Sequence, residues 1–158
     1  MPDILLTRVD NRLIHGQVGM TWATHLGANL IVVANDEVAG DEVQQNLMDM
    51  AVASMAETRY FTIQKTIDVI NLAGDWQHIF LVVKTPQDAL RLVENGVPIR
   101  VLNIGNMHFR EGKKQVTSTI SVDEDDKEAI RSLMEMGVRI ELRRVPSDSA
   151  IPVEKIFE

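Results

Sequence analysis

The stretch Ile79-Phe80-Leu81-Val82-Val83-Lys84-Thr85-Pro86-Gln87-Asp88-Ala89-Leu90-Arg91-Leu92-Val93-Glu94-Asn95-Gly96 decides the fold class. It opens on a run of β-forming residues that is apolar at every position, so both faces of the strand need cover, as in a parallel sheet flanked by helices. Thr85-Pro86 follows directly, a capping hydroxyl with proline in the first helical turn. Leu90 and Val93 then share one helical face, and Gly96 stands where a helix should stop. A strand passing at once into a helix is the repeating unit of an α/β fold.

The same alternation extends in both directions. Further β-rich runs are Ile4-Leu5-Leu6, Leu30-Ile31-Val32-Val33, Tyr60-Phe61-Thr62-Ile63 and Val101-Leu102-Asn103-Ile104. Helical faces are predicted on Val18, Trp22 and Leu26, on Val43, Leu47 and Met50, and on Ile130, Leu133 and Met134 ahead of Gly137. In the C-terminal third, Val116, Ser118, Ile120 and Val122 alternate with neighbours of other character, as do Ile140 and Leu142. Such alternation predicts strands nearer a sheet edge, where an antiparallel edge strand is admissible. The expectation is one α/β domain over residues 1–158, with an open, mostly parallel sheet of six or seven strands and helices on both faces.

Composition excludes several classes of function. The 158 residues carry 16 Lys and Arg against 23 Asp and Glu, a net charge of −7, which disfavours a binder of bare nucleic acid. Hydrophobic residues at 45% and charged residues at 25% are the balance of an ordinary folded domain. There is no cysteine, so disulfides, thiolate metal sites and cysteine nucleophiles are ruled out. Neither a signal-peptide core nor an apolar run of membrane-spanning length is found.

Ligands of open α/β sheets bind outside the carboxyl ends of the strands, which directs attention to four loops. Arg8 to Gln17 follows the first strand run, Asn35-Asp36-Glu37 the second, Lys84 the fourth, and Gly105-Asn106-Met107-His108 the fifth. The first loop holds Arg8, Asp10, Arg12 and His15, with His15-Gly16-Gln17 just ahead of the first helix. A helix N-terminus offers free N–H donors and a positive dipole end, arginine offers a fork for phosphate, and an imidazole oriented by a carboxylate is a nucleophile. The loop therefore suits making and cradling a phosphohistidine. The same residues also suit a helix cap with surface ion pairs, and a non-catalytic ligand-binding or regulatory domain would use the same anion pocket. No G-x-G-x-x-G or Walker-type loop follows a strand, and Asp10 with Asp36 only weakly imitates the acidic cluster of an aspartyl-phosphate receiver.

The stretch Arg8-Val9-Asp10-Asn11-Arg12-Leu13-Ile14-His15-Gly16-Gln17-Val18 resembles the active-site loop of the enzyme IIB components of the mannose/fructose/sorbose family of the bacterial sugar phosphotransferase system. The resemblance continues through Asn35-Asp36-Glu37-Val38-Ala39, Gly96-Val97-Pro98, Asn103 to Lys113, and from Ser121-Val122-Asp123 to about Val145. It implies a protein-histidine–sugar phosphotransferase. His15 receives a phosphoryl group from a phosphorylated IIA protein, and a sugar takes it while crossing the membrane through the IIC and IID proteins. Arg12 and Asp10 are then catalytic, Arg8, Gly16 and Gln17 bind phosphate or support the loop, and Asp36, Lys84, Asn106 and His108 lie at the periphery. No metal and no cofactor is implied. The place implied is the cytoplasm, at the inner face of the membrane, with IIA on a separate chain because nothing precedes residue 1. Asn106 stands where the mannose branch has a second glycine, and His108 follows, so the chain is more similar to the N-acetylgalactosamine and galactosamine branch.

Other features are expected to be structural. His25 and His78 lack neighbours at metal spacing. Asp123-Glu124-Asp125-Asp126 reads as acid in a first helical turn. Met48, Met50, Met55, Met134 and Met136 read as core or partly buried helix positions. Arg110, Lys113, Lys114, Arg143 and Arg144 read as solvated positive charge.

Overall fold

Side-chain alternation along the strands divides the apolar residues between two cores, one on each face of a single sheet. The computed structural model describes residues 1–158. Strands β1 (Asp3–Asp10), β2 (Leu30–Ala34), β3 (Glu57–Phe61), β4 (His78–Val83), β5 (Val101–Asn106) and β8 (Arg139–Leu142) form a six-stranded sheet in the order β3-β2-β4-β1-β5-β8. Every pairing in it is parallel. Between the strands run α1 (Val18–Leu26), α2 (Asp36–Ala39), α3 (Glu42–Val52), α4 (Ile63–Val69), α5 (Pro86–Glu94) and α6 (Glu124–Glu135). Ile79, Leu81 and Val83 of β4 pack with Ile63 of α4, Leu92 of α5 and Leu133 of α6. Phe80 and Val82 of the same strand pack on the other face with Trp22 of α1 and with Met48 and Val52 of α3. The adjacent strands β1 and β4 thus send the chain to opposite faces. Their divergence opens a crevice beyond the strands' carboxyl ends.

Local signals set the helix ends. Thr85 Oγ1 accepts the Asp88 N–H at 3.1 Å, with Pro86 in the first turn of α5. Asp123 caps α6 through the Asp126 N–H at 2.8 Å, and the Asp126 carboxylate accepts the Asp123 N–H in return at 3.2 Å, closing a capping box.

The structure departs from the sequence reading in several places. β1 runs on to Asp10, so Arg8 and Asp10 are strand residues and not loop residues. Thr62 does not continue β3: its hydroxyl accepts the Lys65 N–H at 2.9 Å, and Ile63 begins α4. The alternating segment from Val116 to Val122 is not one strand. Thr117 Oγ1 accepts the N–H groups of Thr119 and Ile120, which reverses the chain between β6 (Lys114–Gln115) and β7 (Ser121–Val122), a separate antiparallel pair. The edge strand β8 is parallel, and only a single bridge from Ile151 meets it antiparallel.

The face of α3 marked by Val43, Leu47 and Met50 points to solvent; Met48 and Val52 hold the core instead. Met50, Met55, Met134 and Met136 are likewise exposed. Leu90 and Val93 flank the fully buried Ala89 and Leu92.

Lys113 is not solvated. Its ammonium lies 3.0 Å from the buried Asp126 carboxylate, which also accepts from Gln87 at 3.0 Å. Burial works against the Asp126 charge, but hydrogen bonds from Gln87, Lys113 and the Asp123 N–H outweigh it and hold the carboxyl below its ordinary range. A carboxyl with a depressed folded-state pKa contributes stability that is complete above its unfolded value, about 3.9, and is lost as pH falls through the folded value. Asp126→Asn is therefore expected to be less stable than the parent at neutral pH, with the gap closing below about pH 4. Urea unfolding at a series of pH values checks this; a gap independent of pH would show that the charge contributes nothing.

Candidate functional site

The end of β1 carries the first two groups of the site. Alternation turns Arg8 and Asp10 to the α1 side of the sheet, and both are buried, at 2% and 0% exposure. Arg8 Nη1 donates to Asn103 Oδ1 at 2.6 Å and to the Arg143 carbonyl at 3.2 Å, and Nη2 donates to Asp10 Oδ2 at 3.2 Å. The guanidinium lies 5.5 Å from the ring centre of Trp22. Gly105 makes room for it: a Cβ there would stand 2.1 Å from the guanidinium carbon, closer than any side chain tolerates. Burial pushes the Arg8 pKa down and the Asp10 charge pushes it back up.

Asp10 is the hub of the loop. Its Oδ1 accepts the Arg12 N–H at 3.0 Å, its carbonyl accepts the Leu13 N–H at 2.9 Å, and its Oδ2 accepts from His15 Nε2 at 3.0 Å as well as from Arg8. Leu13 and Ile14 sink into the core under α1 and α3, and Leu13 takes a left-handed φ of 59°, a strained conformation for a non-glycine residue. Anchoring those two side chains leaves Arg12 exposed and His15 half-buried at the surface. A carboxylate only accepts, so His15 presents its Nε2–H to Asp10 and leaves Nδ1 as the open nitrogen with a lone pair. Gln17 precedes α1 without making a side-chain cap; the Val18 N–H donates to the His15 carbonyl at 3.3 Å, and the next two amides, of Gly19 and Met20, keep free donors.

A cavity of about 600 Å³ lies over this loop, lined among others by Arg12, His15, Gly16, Asn35, Glu37 and Lys84. Lys84 Nζ is 3.6 Å from Glu37 Oε1. Of the peripheral residues expected from sequence, only Lys84 lines this cavity. Asp36 instead accepts the Ile63 N–H at 2.8 Å and ties α2 to α4, while Asn35 caps α2 and Glu37 faces the cavity. Asn106 contributes its carbonyl, which accepts the Asn11 N–H at 3.0 Å and closes the base of the loop. His108 lines a neighbouring cavity of about 940 Å³ on the other side of Asn11 and Lys84. Arg8 does not line the His15 cavity. Gly16 lines the cavity, and its φ of +50° is one that glycine adopts without strain. Gln17 does not line it.

Sequence reasoning missed Asn103, Glu141 and Trp22 as parts of this arrangement. The signal for Asn103 was present, because a lone amide inside the apolar run Val101 to Ile104 requires buried partners. No helix is long and apolar enough to cross a membrane. Chemically, the site offers an imidazole with one open ring nitrogen, held by a buried carboxylate, and a guanidinium without an ion-pair partner on the same cavity, groups suited to an anion.

The family model described as PTS system sorbose subfamily IIB component matches residues 4–158. The chain is 51% identical over 157 residues to the N-acetylgalactosamine-specific phosphotransferase enzyme IIB component 2 of Escherichia coli (strain K12), covering 99% of this chain and 100% of that protein. It is 40% identical over 146 residues to the mannose-specific EIIAB component of the same strain, covering 90% of this chain and 45% of that one. Among solved structures, the N-acetylgalactosamine-specific IIB component 1 from Escherichia coli superposes with a TM-score of 0.93 at 47% identity, covering 96% of this chain and 99% of the other.

Proposed function

The chain belongs to the sorbose-subfamily IIB components of the sugar phosphotransferase system, and from that premise we propose that His15 is the group that carries the phosphoryl. The observation that supports this most directly is the 3.0 Å contact from His15 Nε2 to the buried Asp10, which leaves Nδ1 open, in a cavity that Arg12 also lines. The Nδ1 lone pair attacks the phosphorus of a phosphohistidine on a IIA protein. The P–N bond on IIA breaks, and its electron pair returns to the IIA imidazole. Positive charge grows on the His15 ring as the new bond forms, and the Asp10 carboxylate stabilises it through the Nε2 proton, which stays in place. Arg12 and the α1 amides meet the phosphoryl oxygens. In the second half-reaction a sugar hydroxyl attacks phosphorus and gives its proton to water or to a base of the membrane proteins, and the P–Nδ1 bond breaks with its electron pair returning to the His15 ring.

The substrate is an amino sugar of the N-acetylgalactosamine and galactosamine kind, a reading supported by the name and 51% identity of the E. coli relative. The sugar is held by membrane IIC and IID proteins, against which this one IIB domain, residues 1–158, docks on the cytoplasmic side. The test is intact-mass analysis after incubation with phosphoenolpyruvate, enzyme I, the histidine phosphocarrier protein and a IIA protein. One acid-labile, alkali-stable phosphoryl group is expected. No gain in mass beside a IIA shown to be phosphorylated would favour a binding domain that kept the loop without the chemistry.

Arg12→Lys retains the charge and loses the fork. Transfer from phospho-IIA is expected to slow by about tenfold to a hundredfold, the range of one charge-assisted hydrogen bond lost only in the transition state. The KM for phospho-IIA should change far less. Equal turnover in the parent and this variant would remove Arg12 from the mechanism.

A further inference from the structure

We propose that Asn103 is a positioning residue for phosphoryl transfer: it holds the Arg8 guanidinium, Arg8 holds Asp10, and Asp10 keeps His15 turned with Nε2 bound and Nδ1 open. The inference rests on His15 being the phosphoryl acceptor and extends the site by two strands. Arg8, Asn103 and Glu141 are register partners on the neighbouring strands β1, β5 and β8, so they form one polar rung across the sheet. Asn103 is fully buried at its centre.

The rung has a fixed polarity. Asn103 Nδ2 donates to Glu141 Oε1 at 3.2 Å and to the Arg143 carbonyl at 3.1 Å, two groups that only accept. Its Oδ1 must then face the other way, where Arg8 Nη1 donates at 2.6 Å. The guanidinium is held by Asn103, the Arg143 carbonyl and Asp10, lies over Trp22, and passes through the space left by Gly105. Trp22 is itself fixed by its Nε1–H, which donates to the Arg144 carbonyl at 3.2 Å. With both terminal nitrogens bonded and Nε alone unpaired, Arg8 has one orientation to offer Asp10, and Asp10 one orientation to offer His15.

Only an amide satisfies this rung. A carboxylate at 103 would face Glu141 with like charge and compete with Asp10 for Arg8. An apolar side chain would remove the shorter of the two bonds from Arg8 Nη1, leaving one buried N–H unpaired and only the Arg143 carbonyl at 3.2 Å as acceptor. A buried ionic network is a costly way to fill a sheet face; it reaches the surface at His15 and, at the other end, at the half-buried Glu141–Arg143 pair, 3.8 Å apart.

The experiment compares the parent with Asn103→Asp, which is nearly isosteric, and with Glu141→Ala, at the less buried outer end of the rung. Asp126→Asn serves as a destabilised control remote from the rung. The readouts are KM and kcat for phosphoryl acceptance from phospho-IIA, and the ring nitrogen that carries phosphorus, read by NMR. Asn103→Asp is expected to lower kcat by about tenfold or more with KM within about twofold, and to spread the label over both ring nitrogens. Glu141→Ala should move kcat and label in the same direction by a smaller factor, while the control keeps parental kcat and label on Nδ1 alone. Parental kcat with label only on Nδ1 in Asn103→Asp overturns the inference; if that chain does not fold, the same result in Glu141→Ala overturns it. An equal fall in kcat in the control does so too, by reducing the effect to stability. Absence of any label on the parent chain would instead sink the phosphocarrier reading, and this inference with it.

Discussion

His15→Ala is expected to take up no phosphoryl group from phospho-IIA while folding as the parent does. The loss should be complete because no other imidazole can substitute. His25 lies edge-on to Trp22, His78 is held 2.6 Å from Asp3 at the far end of β4, and His108 faces the neighbouring cavity. The fold tolerates the change because His15 is half-buried and makes one side-chain hydrogen bond, to Asp10. Asp10 keeps Arg8 and the Arg12 N–H as donors, so the stability cost should not exceed about 1–2 kcal/mol. Mass analysis after phosphorylation and urea unfolding check the two halves separately. A variant that still gains an acid-labile phosphoryl group would place the acceptor elsewhere in the chain.

Arg8→Met is expected to have the largest effect on stability, a loss of about 3–5 kcal/mol, the range for removing one partner of a buried ion pair. The reason lies in what is left behind. Asp10 remains at 0% exposure with its negative charge and no cation, and the Asn103 Oδ1 faces a thioether chain that cannot donate. The pair itself is not a large source of net stability, because two charges were desolvated to make it and the buried Arg8 Nε has no partner. Accordingly, Arg8→Met combined with Asp10→Leu should recover a good part of the loss while remaining inactive in phosphoryl transfer. Denaturant unfolding of the parent, the single variant and the double variant measures this. A single variant within about 1 kcal/mol of the parent would show that Asp10 reaches solvent or a second cation when Arg8 is gone.

Much of the architecture was legible from periodicity and punctuation. Runs apolar on both faces, such as Ile79 to Val83, required helices above and below; Thr85-Pro86 marked a helix start that the structure caps in the way expected, and Asp123 to Asp126 marked another, where Asp123 is the cap and the next three acids form the first turn. These signals are local: a capping hydroxyl reaches an amide three residues on, and a strand's own alternation states how many of its faces are dry. The short spacing from Asp10 to His15 likewise brought the carboxylate to the imidazole through a tight loop.

What required the tertiary structure was every choice among competing partners. Helix α3 carries two apolar stripes, Val43-Leu47-Met50 and Met48-Val52, and only its docking against Ile31 and Val33 of β2 decides which one is buried. Arg8 and Arg12 are chemically the same and four residues apart in the chain. One points inward because β1 extends far enough to place it on the rung with Asn103, and because Gly105 leaves the space a guanidinium needs. The other stays at the surface because Asp10 takes its backbone N–H and leaves its side chain free. The sequence by itself determined the α/β class, the helix starts and the loop that holds His15, since those depend on neighbours a few residues away. Which arginine is buried and which stays at the surface depended on contacts from β5, the segment after β8 and α1, which are far away in the chain and adjacent only once the sheet has formed.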